Sequence, residues 1–223
     1  MNLEIRAFLF DLDGVITDTA EYHYLSWKQL ADEEGLPFTR EDNEALRGVT
    51  RRESLRRLLK GRVIDEATAQ DWMARKNTYF NTSLAQVTPA DLLPGVGALL
   101  DEAHANGILC AIASASRNAR AVLERLQITD KFAAIGDGYS VVNNKPSADL
   151  FVWTAGRLGV YPPQAVVFED SEAGVDAGLK GGFWTVGLGD AGVERAHLRV
   201  PDLEGVRLNW LFEQLKALAG GDS

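Results

Sequence analysis

The sequence predicts an α/β fold: a doubly wound, Rossmann-like and mostly parallel sheet that carries an inserted all-helical cap domain. Three observations favour this fold class. Short apolar runs alternate with helical patterns, as in parallel sheets that have helices on both faces. Polar residues directly follow several of these runs, where the carboxyl edge of the sheet would lie. Nearly 100 residues separate the first two runs, whereas one crossover connection needs only about a dozen.

The individual elements follow from the spacing of apolar residues. Short apolar runs bounded by polar residues or glycine predict the strands Ala7–Phe10, Ile108–Ala113, Ala133–Ile135, Ala165–Phe168 and Trp184–Leu188. Segments with a helical pattern between these runs predict the core helices Val96–Ala105, Ala119–Leu126, Leu150–Leu158 and Ala173–Leu179.

The long interval after the first strand predicts a domain of its own. Its pattern is helical throughout, with helices expected at Ala20–Glu34, Arg40–Leu46, Arg51–Leu59 and Glu66–Leu84. The turn-forming segments Thr88-Pro89 and Leu93-Pro94-Gly95 mark the return of the chain to the main domain. We therefore expect a core domain at residues 1–16 plus 89–223, a helical cap domain at 17–88 and a frayed tail at 220–223.

Composition limits the class of partner. The chain of 223 residues has 32 acidic and 23 basic side chains and a net charge of −9, which disfavours nucleic-acid binding. No apolar stretch approaches the roughly 20 residues that span a bilayer. The start of the chain has no signal-peptide pattern, and its one cysteine, Cys110, lies in an apolar run. We expect a cytoplasmic monomer that binds neither nucleic acid nor membrane.

The polar residues at the strand ends are the candidate functional site. Asp11 and Asp13 follow the first predicted strand, Ser114–Asn118 follows the second, and Glu169 and Asp170 follow the fourth, while Lys145 lies in a loop. In an open α/β sheet, ligands bind beyond the carboxyl ends of the strands, so these groups should converge. Each alone has an ordinary alternative, since acids and serines cap helices and a single lysine is usually solvated.

Together these groups predict phosphoryl-transfer chemistry. Carboxylate oxygens without clustered histidine or cysteine suit Mg²⁺ as the metal. A lysine and hydroxyl groups beside it suit the oxygens of a transferring phosphoryl group. Of the two acids on the first strand, Asp11 and Asp13, one carboxylate can attack phosphorus while the other moves a proton.

These motifs resemble the haloacid dehalogenase superfamily of phosphotransferases, and the helical insertion resembles the C1 cap of that superfamily. Further blocks resemble the β-phosphoglucomutases within it, in order from residue 8 to about residue 189. They are Asp11–His23 with Trp27, Leu46–Arg51 with Ser54, Arg75-Lys76-Asn77, Ser114–Asn118, Lys145-Pro146 and Glu169–Ser171. The family often has lysine at positions 47 and 117, where this chain has Arg47 and Arg117, which leaves the fine substrate preference open.

The resemblance implies a role for each matching residue. Asp11 would be the nucleophile and Asp13 the general acid/base, with His23 hydrogen-bonding near Asp13 as the cap closes. The implied Mg²⁺ ligands are Asp11, the main-chain carbonyl of Asp13, Glu169 and Asp170. The groups implied for the reacting phosphoryl oxygens are Ser114, the Ala115 backbone and Lys145. The groups implied for the second phosphate are Arg51, Ser116, Arg117 and Asn118, and further substrate contacts are Thr19, Trp27, Gly48, Ser54 and Lys76.

The implied activity is interconversion of β-D-glucose 1-phosphate and glucose 6-phosphate through an aspartyl phosphate and a β-glucose 1,6-bisphosphate intermediate. A sugar phosphate would be the substrate and a sugar bisphosphate the activator. Two alternatives remain open: a capped sugar-phosphate phosphatase of the same superfamily, and a non-enzymatic phosphoacceptor switch module. The second acid, Asp13, and a closing cap have no evident purpose in a switch module.

Overall fold

A computed structural model describes residues 4–220 and confirms the predicted α/β class. In that part of the chain a six-stranded sheet has the order β3-β2-β1-β4-β5-β6, and every neighbouring pair is parallel. The strands are β1 Ala7–Phe10, β2 Leu109–Ala113, β3 Ala134–Gly136, β4 Ala165–Glu169, β5 Trp184–Leu188 and β6 Leu198–Val200. The first five lie within one residue of the predicted bounds, whereas β6 was not predicted.

The helices lie in two groups along the chain. Between β1 and β2 are α1 Ala20–Glu33, α2 Arg40–Glu44, α3 Arg51–Leu58 and α4 Glu66–Leu84. After them come α5 Val96–Ala105, α6 Ala119–Leu126, α7 Asp149–Leu158, α8 Glu172–Lys180 and α9 Leu208–Gly220. The predicted helices are present with ends that shift by up to two residues, and α9 was not predicted. Of the tail predicted to fray, Gly220 ends α9 and residues 221–223 lie outside the described residues.

The sheet buries both of its faces, which explains why its strands are continuous apolar runs. Successive residues of a strand point to opposite faces. Phe8 and Phe10 therefore pack on the side of α5, α6 and α9, where their rings contact that of Phe168 at centroid distances of 5.2 and 4.8 Å. Leu9 packs on the other side against α7 and α8. Cys110 is buried in the first cluster, and burial raises the pKa of its thiol to about 12.

Helices α1–α4 have a hydrophobic cluster of their own. Trp27 and Leu30 of α1 pack with Leu55 of α3 and Trp72 of α4, away from the sheet. The side-chain oxygens of Thr39, Thr50 and Asp65 cap α2, α3 and α4. A separate apolar cluster is what an inserted domain requires, and the division at residues 17–88 stays a prediction.

The two chain segments that connect α1–α4 to the sheet lie side by side. The Thr17 hydroxyl donates to the Asp91 carbonyl at 2.8 Å, and the Leu93 backbone N–H donates to the Ile16 carbonyl at 3.0 Å. These bonds fix where the helical group meets the carboxyl edge of the sheet. Among the helices described between residues 4 and 220, none is long and apolar enough to cross a membrane.

Candidate active site

The carboxyl edge of the sheet and the facing surface of α1–α4 enclose one cavity. It holds about 810 Å³ of space between protein atoms, part of it open to solvent. The predicted site residues that line it are Asp11, Asp13, His23, Trp27, Gly48, Arg51, Ser54, Lys76, Ser114, Ala115, Ser116, Arg117 and Asp170.

The remaining predicted site residues lie just behind this lining. They are Thr19, Asn118, Lys145 and Glu169, and each makes a hydrogen bond to a residue that does line the cavity. Residues that are distant in sequence therefore converge, as parallel strand ends require. The roles assigned to them from the sequence stay predictions.

Lys145 is buried between two carboxylates. Its ammonium donates to Asp11 Oδ1 and to Glu169 Oε1, and neither its side chain nor that of Glu169 has exposed surface. Burial raises the pKa of Asp11 well above its usual value, although Lys145 opposes the shift. Burial disfavours the charged lysine, but the Asp11 and Glu169 carboxylates outweigh it and raise the pKa of Lys145. The ammonium is therefore a fixed positive charge beside Asp11.

Glu169 holds the end of β4 in place. Its Oε2 accepts hydrogen bonds from the backbone N–H groups of Asp170 and Ser171 at 3.1 Å, and from the Ser171 hydroxyl at 2.8 Å. Ser171 also caps α8, where its oxygen accepts from the Gly174 backbone N–H. A Cβ at Gly174 would overlap the Glu169 carboxyl group, so glycine is needed there. With Lys145 on Oε1, both oxygens of Glu169 are engaged in this structure.

Asp13 lies at the end of a chain of polar contacts. Thr19 donates its hydroxyl to Asp13 Oδ1, and His23 Nε2 lies 3.8 Å from Asp13 Oδ2. On the other side of the imidazole, Lys76 Nζ lies 2.8 Å from His23 Nδ1. The first turn of α1 brings His23 onto the same face as Thr19, since their spacing is four residues.

The pKa shifts of His23 and Asp13 have clear physical causes. Burial, with the charges of Lys76 and Arg51, lowers the pKa of His23 well below 6.5, so the imidazole is neutral at pH 7. If Lys76 donates to Nδ1, the ring proton is on Nε2 and faces Asp13. Burial raises the pKa of Asp13, although the Thr19 hydroxyl lowers it. A raised pKa makes this carboxyl group a better proton donor than an ordinary aspartate.

Asp170 meets a residue of the helical group whose contact was not predicted. Arg47, in the segment after α2, donates from Nη2 to Asp170 Oδ2, and its Nη1 lies 3.3 Å from Glu44. Burial and the neighbouring Glu169 carboxylate raise the pKa of Asp170 to about 7, against the effect of Arg47. Gly14 has a φ of +82°, and a Cβ there would overlap Asp170. The sequence showed that Arg47 replaces a lysine common in the family, but it did not show that Arg47 contacts Asp170.

The acids at this end of the cavity are the candidate metal ligands. Within residues 4–220, no group of three or more histidine, cysteine, aspartate or glutamate side chains lies close enough to hold a metal ion. The carboxyl groups of Asp11, Asp13 and Asp170 nevertheless face one cavity, and each has a raised pKa. Burial is the main cause of each raised pKa, and neighbouring carboxylates raise those of Asp11 and Asp170 further. A divalent cation relieves such repulsion, and oxygen donors are what Mg²⁺ prefers. The donor set therefore fits Mg²⁺ in its chemistry.

The opposite end of the cavity is positively charged. Arg51 and Arg117 line it, and in the described part of the chain neither makes an ion pair with a carboxylate. Lys76, beside His23, also lines the cavity, and burial with the charge of Arg51 lowers its pKa well below the usual value. Burial and the charge of Arg117 lower the pKa of Arg51. The Arg117 guanidinium lies over the ring of Tyr139, 4.6 Å from its centroid. No motif in the sequence indicated Tyr139.

The loop after β2 shapes the floor between the two ends. The Ser114 hydroxyl accepts from the Ser116 backbone N–H at 3.1 Å, and the Ser116 hydroxyl accepts from that of Asn118 at 3.2 Å. These bonds make a tight turn, so neither serine is the cap of α6. Across the cavity, a Cβ at Gly48 (φ +69°) would overlap the Ser171 hydroxyl. The segment after α2 therefore passes directly against the core.

Three comparisons relate this chain to known proteins. The family model for haloacid dehalogenase-like hydrolases matches residues 5–182. A β-phosphoglucomutase of Bacillus subtilis is 43% identical over 189 residues, which cover 83% of this chain and 84% of that protein. A phosphorylated carbohydrates phosphatase of Thermotoga maritima is 29% identical over 181 residues, 80% of this chain and 82% of that protein. The crystal structure of a β-phosphoglucomutase from Clostridium difficile superimposes with a TM-score of 0.93 and 36% identity, covering 96% of this chain and 99% of that one.

Proposed function

Because the chain belongs to the haloacid dehalogenase-like hydrolase family, and because close relatives within it are β-phosphoglucomutases, we propose that it interconverts β-D-glucose 1-phosphate and glucose 6-phosphate. The observation that carries this proposal is a cavity with two opposite charged ends. Carboxylates that suit a metal and a phosphoryl group lie at one end, and Arg51 and Arg117, which have no ion pair among the described residues, lie at the other. A sugar with a phosphate at each end fits such a cavity in either direction.

In the proposed first half-reaction, an Asp11 carboxylate oxygen attacks the phosphorus of the bound bisphosphate. The new Asp11–phosphorus bond forms as the bond from phosphorus to the sugar oxygen breaks, and Asp13 donates a proton to that oxygen. In the second half-reaction, glucose 6-phosphate has left and β-glucose 1-phosphate has bound, and Asp13 accepts the proton of its carbon-6 hydroxyl. That oxygen attacks the phosphorus of the aspartyl phosphate as the Asp11–phosphorus bond breaks, which regenerates the bisphosphate and the free Asp11 carboxylate. The raised pKa of Asp13 and its contacts with Thr19 and His23 support this role.

We propose Mg²⁺ as the cofactor, held by Asp11, the main-chain carbonyl of Asp13, Glu169 and Asp170. When bound, it would neutralise the phosphoryl oxygens and align them for in-line attack. Asp170 would have to exchange Arg47 for the metal, and Glu169 would have to exchange Lys145 for it at Oε1, since Oε2 already accepts three hydrogen bonds. Ser114, the Ala115 backbone N–H and Lys145 would hold the same phosphoryl group.

The second phosphate would lie against Arg51, Ser116, Arg117 and Asn118. Guanidinium groups bind phosphate oxygens through paired N–H donors, so Arg117 can replace the lysine that the family often has. The sugar itself would contact groups that line the cavity or support its lining. They are Thr19, His23, Trp27, Gly48, Ser54 and Lys76.

We propose that residues 17–88 form a cap that closes on the substrate and excludes water, so that a sugar hydroxyl accepts the phosphoryl group. Such closure is a common device for choosing between acceptors. The separate hydrophobic cluster of α1–α4 and the paired connecting segments at Thr17 and Leu93 support a cap that moves as a unit. A sugar bisphosphate would prime the enzyme. A cytoplasmic, monomeric protein remains the expectation from the sequence.

One assay separates this proposal from the two alternatives. The protein is given β-glucose 1-phosphate, Mg²⁺ and a trace of β-glucose 1,6-bisphosphate, and glucose 6-phosphate and free phosphate are measured together. A mutase forms glucose 6-phosphate faster than phosphate, and Asp11→Asn abolishes both products. Faster release of phosphate would indicate a phosphatase. The relative that is 29% identical to this chain is a phosphatase of phosphorylated carbohydrates. Formation of neither product would indicate a phosphoacceptor switch.

A further inference from the structure

Asn77, on α4, lies between two residues expected to bind the second phosphate. Its side-chain Oδ1 accepts a hydrogen bond from Arg51 Nη2 at 2.7 Å and another from Asn118 Nδ2 at 2.9 Å. Arg51 begins α3, whereas Asn118 lies in the loop after β2. One oxygen atom therefore joins two helices of the α1–α4 group to the core.

The chemistry of an amide suits this position. Arg51 and Arg117 line the positive end of the cavity without an ion pair to a described carboxylate. A carboxylate in place of Asn77 could accept the same two bonds, but it would neutralise Arg51 and repel a phosphate. The amide oxygen orients the guanidinium and carries no net charge, so the positive charge stays available to an anion.

The bond to Asn118 makes the arrangement depend on the position of the cap. Asn77 and Arg51 belong to the helical group and Asn118 to the core, so all three are in place only when the two parts meet. A second phosphate bound there would rest on groups from both parts. Binding of that phosphate and approach of the cap would therefore favour each other.

We propose that Asn77 is a positioning residue that completes the second-phosphate site when the cap closes, and so favours the sugar hydroxyl over water as phosphoryl acceptor. The part of this inference that concerns the choice of acceptor, here called the acceptor part, rests on the proposed function. The part that concerns binding of the second phosphate, here called the binding part, applies to any substrate with two phosphates and is tested separately.

The first experiment measures binding without turnover. β-Glucose 1,6-bisphosphate is titrated by calorimetry into the Mg²⁺-loaded Asp11→Asn protein, alone and combined with each substitution at Asn77. Loss of one charge-assisted and one neutral hydrogen bond should weaken binding about tenfold or more in Asn77→Ala. Asn77→Asp should weaken it further, because the new carboxylate neutralises Arg51. Thr78→Ala is the matched control, since the exposed Thr78 hydroxyl bonds only the Ala74 carbonyl of its own helix and should change nothing.

The second experiment uses the otherwise unchanged enzyme and measures glucose 6-phosphate and free phosphate together. Asn77→Ala should raise the KM and increase the share of phosphoryl groups lost to water, while Thr78→Ala should match the wild type. If the side chain at position 77 only stabilised the fold, aspartate could accept the same two hydrogen bonds and replace asparagine without loss. Equal bisphosphate affinity for Asn77→Asp and the unsubstituted side chain would therefore overturn the inference.

The two proposals can fail separately. A wild type that releases phosphate without forming glucose 6-phosphate overturns the mutase proposal and the acceptor part of this inference, while the titrations still decide the binding part. A wild type with mutase activity, combined with unchanged affinity and product ratio in Asn77→Ala, overturns the inference alone. Circular dichroism and thermal unfolding of each variant establish that it is folded before either comparison is made.

Discussion

Replacing Lys145 by methionine should destabilise the fold strongly, although it removes a single charge. Lys145 Nζ contacts the carboxylates of Asp11 and Glu169, and the three side chains are buried. Methionine keeps an unbranched stem of similar size beside Phe151, over whose ring the ammonium lies. The substitution therefore isolates the loss of charge from the loss of packing.

The expected magnitude follows from the contacts. Two charge-assisted hydrogen bonds contribute about 1.5–3 kcal/mol each. Removing one partner of a buried ion pair costs about 3–5 kcal/mol, because the remaining charge stays buried and unpaired. The first estimate is about 3–6 kcal/mol in total and the second about 3–5 kcal/mol, so Lys145→Met should lose about 3–5 kcal/mol of unfolding free energy. The difference in unfolding free energy between the wild type and Lys145→Met should decrease as the pH falls. Burial raises the pKa of Asp11, and a protonated Asp11 no longer needs a counter-charge.

The assay is urea unfolding in EDTA at pH 7, so that metal binding does not contribute, followed by tryptophan fluorescence and circular dichroism together. Lys131→Met is the matched control. Lys131 also pairs with a carboxylate, that of Asp101 at 2.8 Å, but both side chains are exposed, so its loss should fall within experimental error. Equal stability of Lys145→Met and the wild type, or an equal loss in the control, would refute the reasoning.

Three further predictions test other parts of the structure. Gly174→Ala should destabilise the protein because its Cβ would overlap the Glu169 carboxyl group, whereas Gly156→Ala, in open space on α7, should stabilise it by about 0.5–1 kcal/mol. Thermal unfolding should therefore show a lower melting temperature for the first variant and a higher one for the second. Changes of the same sign would contradict the packing at Gly174. His23→Gln should flatten the pH dependence of stability. Burial lowers the pKa of His23, so below about pH 6.5 the unfolded chain binds more protons than the folded protein. The unfolding free energy of the wild type therefore falls by up to about 1.4 kcal/mol per pH unit as the pH decreases. Equal slopes of unfolding free energy against pH for variant and wild type, measured by urea unfolding from about pH 7 to 5.5, would exclude this. Asp13→Asn should keep Mg²⁺ binding, measured by calorimetry, and lower kcat/KM about a hundredfold or more; unchanged turnover would remove its role in proton transfer.

Local patterns predicted most of the fold. The inner strands are apolar on both faces, and runs of that kind are visible in the sequence without any tertiary information. Strand β6, at the sheet edge, has only three residues, of which Val200 alone is buried. Helix α9 buries Leu208, Leu211 and Leu215 at helical spacing, so its pattern was present but was not recognised.

The candidate site was predictable where position along a strand decides it, and not where distant segments meet. Asp11 and Asp170 follow strands, so their convergence follows from the topology of a parallel sheet. The pairing of Arg47 with Asp170 and the stacking of Arg117 on Tyr139 depend on how the helical group and the loops pack. No spacing rule links residues 123 positions apart, which is why the sequence showed the unusual arginine without its partner.

The central claim is that one cavity holds a sugar bisphosphate in either direction, with Asp11 carrying the phosphoryl group between positions. The most direct measurement follows a radiolabelled phosphoryl group placed at carbon 1 of β-glucose 1,6-bisphosphate, incubated with the Mg²⁺-loaded enzyme. The label should distribute between carbon 1 and carbon 6 while little free phosphate forms, and Asp11→Asn should prevent this exchange. Label that stays at carbon 1 until it is released as phosphate would contradict transfer through Asp11 to the other carbon.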